Sequence, residues 1–432
     1  MKPQVLSLIV FLFISCASAP FARLDGKLEE GDYSGGVTLL EKRKKALYTG
    51  RDTILYYLDK GMLAHYAGLY KDSSDLLESG ERAMEAAFTK SITQEIGSYL
   101  VNDTTRDYDG EDYEDIYINT FNALNYYHRG ELEDAMVEIR RMSNKLQYLS
   151  AKYGAVITNL QQKALEENSS LPSDEKAPSQ FSDSALARYI GMLFYRGAGR
   201  WDDARIDGDR LRVAFANAPD VYRQREPSSL GEEMDVPGGM ARLNVIAFGG
   251  LSPIKEQETL RIPIPPMRYV KIALPKMTPR PSQIRRIEVA LDSGERFPLE
   301  LLEDIEAVAR ETYKEKEKVI YLKTIIRATV KGATSSVLEA AAADQDNSAG
   351  LILSILSLGA QVYAEASEQA DLRISRYFPG KAYVGGINLE PGLYSFSVTY
   401  YGQSDKPLGV FRYKDVPVME NRLNLTEAVC LR

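Results

Sequence analysis

A short pattern recurs four times in the first half of the chain and restricts what that half can fold into. Each copy begins with a glycine, has a large apolar residue two positions later and a small residue five positions later; the glycines are Gly31, Gly68, Gly130 and Gly199. Glycine can end a helix because it adopts a positive φ without steric strain. The large residue then packs against the turn, and the small residue lets two helices approach closely. The pattern therefore predicts four helix–turn–helix hairpins.

Further positions agree in some of these copies, and together they resemble the tetratricopeptide repeat (TPR). A small residue precedes the turn by seven positions in the two middle copies, tyrosine precedes it by four in the last two, and a large apolar residue follows it by nine in the first three; these residues are Gly61, Ala123, Tyr126, Tyr195, Leu40, Leu77 and Ile139. The two outer copies are degenerate, as terminal repeats often are. The alternative is a set of unrelated helical hairpins.

The resemblance to TPR implies a concave surface that binds a partner, because in such repeats the first helix of each unit lines the inner face. The residues expected on that face are Leu58, His65, Tyr66, Tyr117, Leu124, Tyr127, His128, Tyr189 and Arg196. Tyrosine and histidine combine apolar area with polar groups, a composition typical of binding hot spots. The alternative for any one of these rings is packing against a neighbouring helix.

The N-terminus has the features of an export signal. Lys2 is followed by an apolar stretch, residues 5–14, which is too short to span a membrane. Residues 13–16 resemble a bacterial lipobox, which predicts that Cys16 carries a lipid and becomes the first residue of the mature chain. The alternatives are ordinary cleavage after Ala19, which Pro20 disfavours, and a cysteine without a role. Ala17 after the cysteine favours the outer membrane, facing the periplasm.

The second half of the chain has the alternation typical of strands. Strands are predicted at residues 243–248, 258–264, 269–274, 284–291, 394–400, 408–413 and 422–425. An apolar stripe at Leu301, Ile305, Val308 and Ala309 predicts a helix between the two strand groups, and residues 349–364 are interpreted as a buried helix in preference to a membrane hairpin. The predicted fold is α+β: a signal peptide (1–15), TPR-like helices (16–225), and a β-sandwich-like domain (226–432) with a helical insertion at about 300–379.

Composition excludes several classes of site. The net charge is −8, which argues against binding to nucleic acid. Two cysteines and two histidines cannot supply a closed zinc site, so no metal and no cofactor is expected. The acidic stretch from Asp103 to Asp115 lacks the twelfth-position glutamate of a calcium loop, and we interpret it as a solvated loop that leads into a helix.

Several short motifs also resemble a family of functionally uncharacterised bacterial TPR-containing lipoproteins. They are Tyr113-Glu114, Glu138-x-Arg140-Arg141, Phe248-x-Gly250-x-x-Pro253-x-Lys255, and Ala370-Asp371-x-Arg373 with Pro379-Gly380. The resemblance covers most of the mature chain, although Ser375 stands where the family has tryptophan. It implies an envelope or peptidoglycan context. We interpret Glu138, Arg140 and Arg141 as an ion-pair network, either on the surface of one helix or between helices, in preference to a ligand site.

These features predict a binding protein and not an enzyme. The sequence contains no Gly-x-Ser-x-Gly elbow, P-loop or His-Glu-x-x-His helix, and no catalytic residue is assigned. The expected function is that of a membrane-anchored scaffold which holds an envelope protein. The alternatives are a structural subunit of an outer-membrane lipoprotein complex and a glycan-acting envelope enzyme.

Overall fold

The structure is a computed structural model that describes residues 20–98, 103–166, 179, 181–262, 270–343 and 369–432. The helices are α1 (Ala22–Glu29), α2 (Tyr33–Leu47), α3 (Thr53–Tyr66), α4 (Tyr70–Ser98), α5 (Asp112–His128), α6 (Leu132–Lys152), α7 (Gly154–Glu166), α8 (Ala185–Gly197), α9 (Trp201–Asn217) and α10 (Ile305–Ala343). The strands are β1 (Ala241–Gly249), β2 (Ile254–Ile262), β3 (Val270–Thr278), β4 (Arg286–Leu291), β5 (Arg296–Asp304), β6 (Lys381–Leu389), β7 (Gly392–Tyr401), β8 (Pro407–Val418) and β9 (Asn424–Cys430). The fold is therefore α+β, with the first half helical and a mixed sheet in the second.

The four predicted hairpins are present, and their turns are built in the same way. The φ angles of the four turn glycines are 76°, 73°, 78° and 72° in chain order. At each turn the glycine N–H donates to the carbonyl three residues earlier, and the next N–H donates to the carbonyl five residues earlier, as Gly130 does to Tyr127 and Glu131 to Tyr126. These two bonds form a Schellman motif, which satisfies carbonyls at the helix end. The small residue five positions on is buried in every hairpin.

Strands from both groups form one seven-stranded sheet in the order β8-β7-β4-β5-β6-β1-β9. All neighbours are antiparallel except β1 and β9, which are parallel. The sheet curls so that side chains of β1, β4 and β7 pack together on one face. This single curled sheet replaces the sandwich-like arrangement expected from the sequence. Strands β2 and β3 form a separate two-stranded hairpin.

The helix predicted from Leu301 begins later than expected. Residues up to Asp304 belong to β5, which pairs with β4 and β6, and α10 starts at Ile305. Ile305, Val308 and Ala309 lie in α10, and only Leu301 of the predicted stripe lies in the strand, where a bulge between Leu301 and Glu303 shifts the register. The predicted helix at residues 349–364 lies outside the described residues. Among those that are described, no helix is both long and apolar enough to cross a membrane.

One apolar core runs through the helices and the sheet. It joins Leu58 and Phe121 of the hairpins to Phe248 of β1, Val384 of β6 and Leu425 of β9. The boundary near residue 226 therefore marks where the strands begin along the sequence but does not separate two cores.

Candidate functional site

The inner face of the helical hairpins is covered by the second half of the same chain. Leu58, Tyr117, Leu124 and Tyr189 are fully buried, and His65 and Arg196 are nearly so. Tyr66, Tyr127 and His128 are half-buried. The open partner groove expected at these nine residues is thus absent from this structure, because the curled sheet and the segments that lead into it occupy the face.

The two histidines of the chain converge on one carboxylate of the last strand. His65 Nε2 lies 2.6 Å from Glu427 Oε1, and His128 Nε2 lies 3.3 Å from Glu427 Oε2. The ring of His128 stacks on Tyr70 at 4.3 Å. Close by, the Tyr127 hydroxyl accepts from the backbone N–H of Leu425 at 3.0 Å. These contacts bind the second and third hairpins to β9.

A directional chain of hydrogen bonds fixes the protonation of His65. The Ser73 hydroxyl donates to the carbonyl of Gly61, which can only accept, and it therefore accepts from the Asn125 amide nitrogen at 2.9 Å. The Asn125 amide oxygen then faces Nδ1 of His65 at 2.7 Å and requires an N–H there. Nε2 must also donate, because its partner is the Glu427 carboxylate. His65 is therefore an imidazolium.

The pKa values of this pair follow from the same geometry. Burial alone lowers the pKa of His65, but the Glu427 charge and the hydrogen bonds from Glu427 and Asn125 outweigh it and raise that pKa. Burial alone raises the pKa of Glu427, but His65 and the bond from His128 lower it to about 2. The pair is therefore ionised in a buried setting, where losing either partner is costly.

A second buried carboxylate, Glu303 of β5, is held by the third and fourth hairpins and the segment after them. It accepts from the hydroxyls of Tyr117 and Tyr222 at 2.6 Å each, from Ser184 Oγ at 2.8 Å and from the N–H of Leu186 at 3.3 Å. Burial raises the pKa of Glu303. Tyr117, predicted as a partner-binding residue, thus binds the sheet of its own chain.

A third carboxylate, Glu233, explains the burial of Tyr189 and Arg196. Arg196 Nη1 donates to Glu233 Oε2 at 2.6 Å, and its Nη2 donates to Asn244 Oδ1 of β1 at 2.5 Å. The Tyr189 hydroxyl donates to the other Glu233 oxygen at 3.3 Å. The fourth hairpin is therefore bound to β1 through a fully buried ionic group.

The hairpins also supply carboxylates that sequence reasoning missed. The backbone N–H of Ser375 donates to Glu114 at 2.6 Å, and the Ser375 hydroxyl and the N–H of Arg376 donate to Asp59 at 2.8 and 2.7 Å. The Tyr66 hydroxyl donates to the next carbonyl, that of Tyr377. Acidic residues on helix faces that are otherwise apolar, such as Asp59, were the available sequence signal.

The acidic stretch before α5 is partly buried and not solvated as expected. Glu111 and Glu114 form a capping box at the start of α5, and both are buried. Glu111 Oε1 accepts from Lys255 at 2.5 Å and from Lys316 at 3.1 Å. The stretch therefore joins the third hairpin to β2 and α10.

The interhelix ion-pair network expected around Glu138 is present. Arg141 donates to Glu138 at 2.8 Å and to Glu81 of α4 at 2.6 Å. Arg140 instead reaches the hydroxyl of Tyr195, at 3.5 Å.

Cys16, the predicted lipidation site, lies outside the described residues. Within the described ranges no group of three or more His, Cys, Asp or Glu side chains is arranged to hold a metal ion. Comparisons with protein-family models, with curated proteins and with solved structures found no match.

Proposed function

We propose that the protein is a lipid-anchored lipoprotein of the bacterial envelope that works as a binding scaffold, with Cys16 as its anchor. The proposal rests on the lipobox-like sequence around Cys16 and on the four hairpins, which we interpret as TPR-like. Helix α1 begins at Ala22, six residues after Cys16. A chain extends by at most about 3.6 Å per residue, so this tether reaches about 22 Å and holds the body close to the membrane.

The observation that shapes the proposal is that the hairpins hold their own C-terminal half. The side chains of the C-terminal half that pack against the helices include Ile246, Phe248, Leu302, Val384 and Val429. Burying each such side chain contributes about 1.5–3 kcal/mol. Their sum is comparable with the whole stability of a typical domain, about 5–15 kcal/mol. Opening the inner face would therefore unfold the protein, so a separate partner binds elsewhere.

The outer surface of α6 offers an alternative place for a protein partner. Val137 and Tyr148 are both exposed there, Tyr148 by 69%. They stand eleven residues apart, about three helical turns, and so project from the same side of the helix. Tyrosine is enriched among the anchor residues of protein interfaces.

The buried carboxylates do not favour an enzyme. Burial and the nearby Glu111 charge raise the pKa of Glu114 to about 7, a value suited to a general acid or base. However, Glu114 is fully buried and its oxygens accept from Tyr108, Ser375 and the backbone of Glu111. A group without access to substrate acts through packing, so we assign it a structural role.

Metabolic labelling with a fatty-acid analogue tests the anchor. Cys16→Ser should abolish labelling and leave unprocessed precursor, whereas Cys430→Ser, which removes the only other cysteine, should label as the wild type does. Labelling that persists in Cys16→Ser would contradict the proposal.

A photo-crosslinking amino acid in place of Tyr148 tests the scaffold role. It should capture an envelope protein, and Val137→Asp should abolish that capture.

A further inference from the structure

The turn of the fourth hairpin exposes a large aromatic ring. Trp201 is the only tryptophan of the chain and is 50% exposed. At the equivalent position of the first hairpin Tyr33 is buried, and Tyr70 and Leu132 are partly buried in the second and third. Packing against the turn therefore explains the residues at this position in the first three hairpins, but it leaves half of the Trp201 indole in solvent.

Trp201 borders an open cleft with a volume of about 200 Å³ between the fourth hairpin and two loops of the C-terminal half. One loop contributes residues 236–242, including Pro237 and Met240, and the other contributes residues 420–422. Sites for small ligands usually have volumes of about 300–1,000 Å³. The cleft is smaller than such enclosed sites and open to solvent, with the indole as one aromatic wall.

The loop opposite the indole is held rigidly. The side chain of Asn424 donates to the carbonyls of Met419 and Arg422 at 3.0 and 3.3 Å and accepts from the Met419 N–H at 2.8 Å. Leu423 packs so closely on Gly197 that a Cβ at Gly197 would lie 2.7 Å from Leu423 Cβ. Binding here would order little of the protein, which favours affinity.

A bond across the cleft joins its two loops. Glu420 Oε1 accepts from the N–H of Gly239 at 3.1 Å. The neighbouring Asn421 and Arg422 are exposed, and neither side chain has a hydrogen bond or ion pair with another residue that the structure describes. The rim opposite Trp201 therefore presents a carboxylate, a carboxamide and a guanidinium.

We propose that this cleft is a glycan-binding site for a neutral oligosaccharide. A pyranose has an apolar C–H face, which packs on an indole, and a rim of hydroxyls, which pair with planar groups that donate or accept two hydrogen bonds. A neutral ligand is favoured because the buried cations Arg196 and Arg242 at the cleft are already paired with Glu233, and the exposed rim carries one carboxylate, Glu420, as well as one guanidinium, Arg422.

The surroundings of Trp201 favour a sugar over a protein. The other exposed apolar side chains of α9 are Ile206 and Val213. At 100° per residue Ile206 lies about 140° around the helix from Trp201, and Val213 is in line with Ile206. On α9 the indole therefore stands apart from these two side chains and forms no continuous apolar patch with them of the kind typical of a protein interface core.

Fluorescence of the mature chain tests the site, because its one tryptophan lies in the cleft. An envelope location, as proposed above, brings cell-wall glycan within reach, but the test needs only soluble protein and a soluble β-1,4-linked N-acetylglucosamine tetramer. We expect a saturable change in Trp201 emission. By calorimetry, Trp201→Ala and Arg422→Ala should each weaken binding about tenfold, and Trp201→Phe less, because it keeps a ring.

Tyr148→Ala is the matched control, since it removes an exposed aromatic ring from α6 and should leave sugar binding unchanged. No saturable emission change up to about 10 mM tetramer would overturn the proposal, as would unchanged affinity in Trp201→Ala. Capture of a protein that depends on Trp201, without a response to sugar, would overturn it in favour of protein docking. A failure of lipid labelling at Cys16 would contradict the proposed membrane anchor and leave the sugar-binding proposal unaffected.

Discussion

His65 Nε2 lies 2.6 Å from Glu427 Oε1, so a buried ion pair joins the second helical hairpin to the last strand of the chain. The other His65 nitrogen donates to Asn125, and because the lowered pKa of Glu427 keeps that group ionised, both ring nitrogens must donate. The pair thus connects residues 362 positions apart, and its strength depends on pH.

The stability of the protein should decline both above and below a pH range that is set by the His65–Glu427 pair. The pKa of His65 is raised, so its contribution is complete below the unfolded value of 6.5 and is lost as the pH rises through the folded value. The pKa of Glu427 is lowered to about 2, so its contribution is complete above 4.5 and is lost as the pH falls. Urea unfolding should show the stability difference between wild type and His65→Gln shrinking as the pH rises above about 6.5 and through the raised folded pKa of His65.

Proton NMR gives an independent check, because the chain has only two histidines to assign. The resonance that disappears in His65→Gln should titrate above 6.5. A midpoint below 6.5 would contradict the directional hydrogen-bond argument.

Removing the Glu303 carboxylate should destabilise the protein strongly. Its two oxygens accept from Tyr117, Tyr222, Ser184 and the N–H of Leu186, and each buried donor left unsatisfied costs about 1–3 kcal/mol. Because water can enter the space, we expect Glu303→Ala to lower the free energy of unfolding by about 3–5 kcal/mol. Glu303→Gln, which keeps the shape and one acceptor, should lose less.

Glu295→Ala is the control for this prediction, because Glu295 is an exposed glutamate in the turn before the same strand. It should leave urea unfolding unchanged. Equal stabilities of Glu303→Ala and Glu295→Ala would show that Glu303 does not bind the hairpins.

Replacing a turn glycine with alanine should destabilise the protein because of the backbone conformation alone. A Cβ at Gly130 would meet no atom within 4 Å, but the φ of Gly130 is 78°. Holding alanine there costs about 1–2 kcal/mol. Gly26→Ala meets equally open space within α1 and should be neutral or stabilising by up to about 1 kcal/mol. Chemical denaturation distinguishes the two, and an unaffected Gly130→Ala would argue against the shared turn geometry.

Residues 226–299 expressed alone should not fold. Among the residues that the structure describes, β1 pairs only with β6 and β9, and both come after residue 380. The fragment would leave both edges of β1 unpaired and its apolar faces exposed, which favours aggregation. Circular dichroism during heating should show no cooperative transition. A cooperative melt would mean that the first strand group is a domain in its own right.

The parts of this fold that the sequence predicts are those with local causes. The turn glycines can be predicted because a Schellman motif needs a positive φ at one residue. Strands β1 and β7 can be predicted because their residue types favour strands. Strand β5 is missed because a bulge at Leu301 and Glu303 disturbs the alternation. The register of β9 beside β1 depends on long-range pairing that no local pattern contains.

The candidate site shows the same division. The inner-face residues were predicted to bind a separate partner, but His65 and Tyr117 each bind a carboxylate of the same chain. The sequence alone does not show that those carboxylates come from the C-terminal half of the same chain. Aromatic and histidine side chains suit a groove for a partner and a groove for the same chain equally well. Only the three-dimensional arrangement places Glu427 and Glu303 there.

The central claim is that the inner face of the hairpins is closed by the protein's own C-terminal half. A photo-crosslinking amino acid at Tyr127 tests it most directly, because the Tyr127 hydroxyl contacts the backbone of Leu425. In the cell, irradiation followed by mass spectrometry of the peptides should give a crosslink within the chain, to the residues around Leu425. A crosslink from Tyr127 to a different protein, with none to its own last strand, would contradict the account.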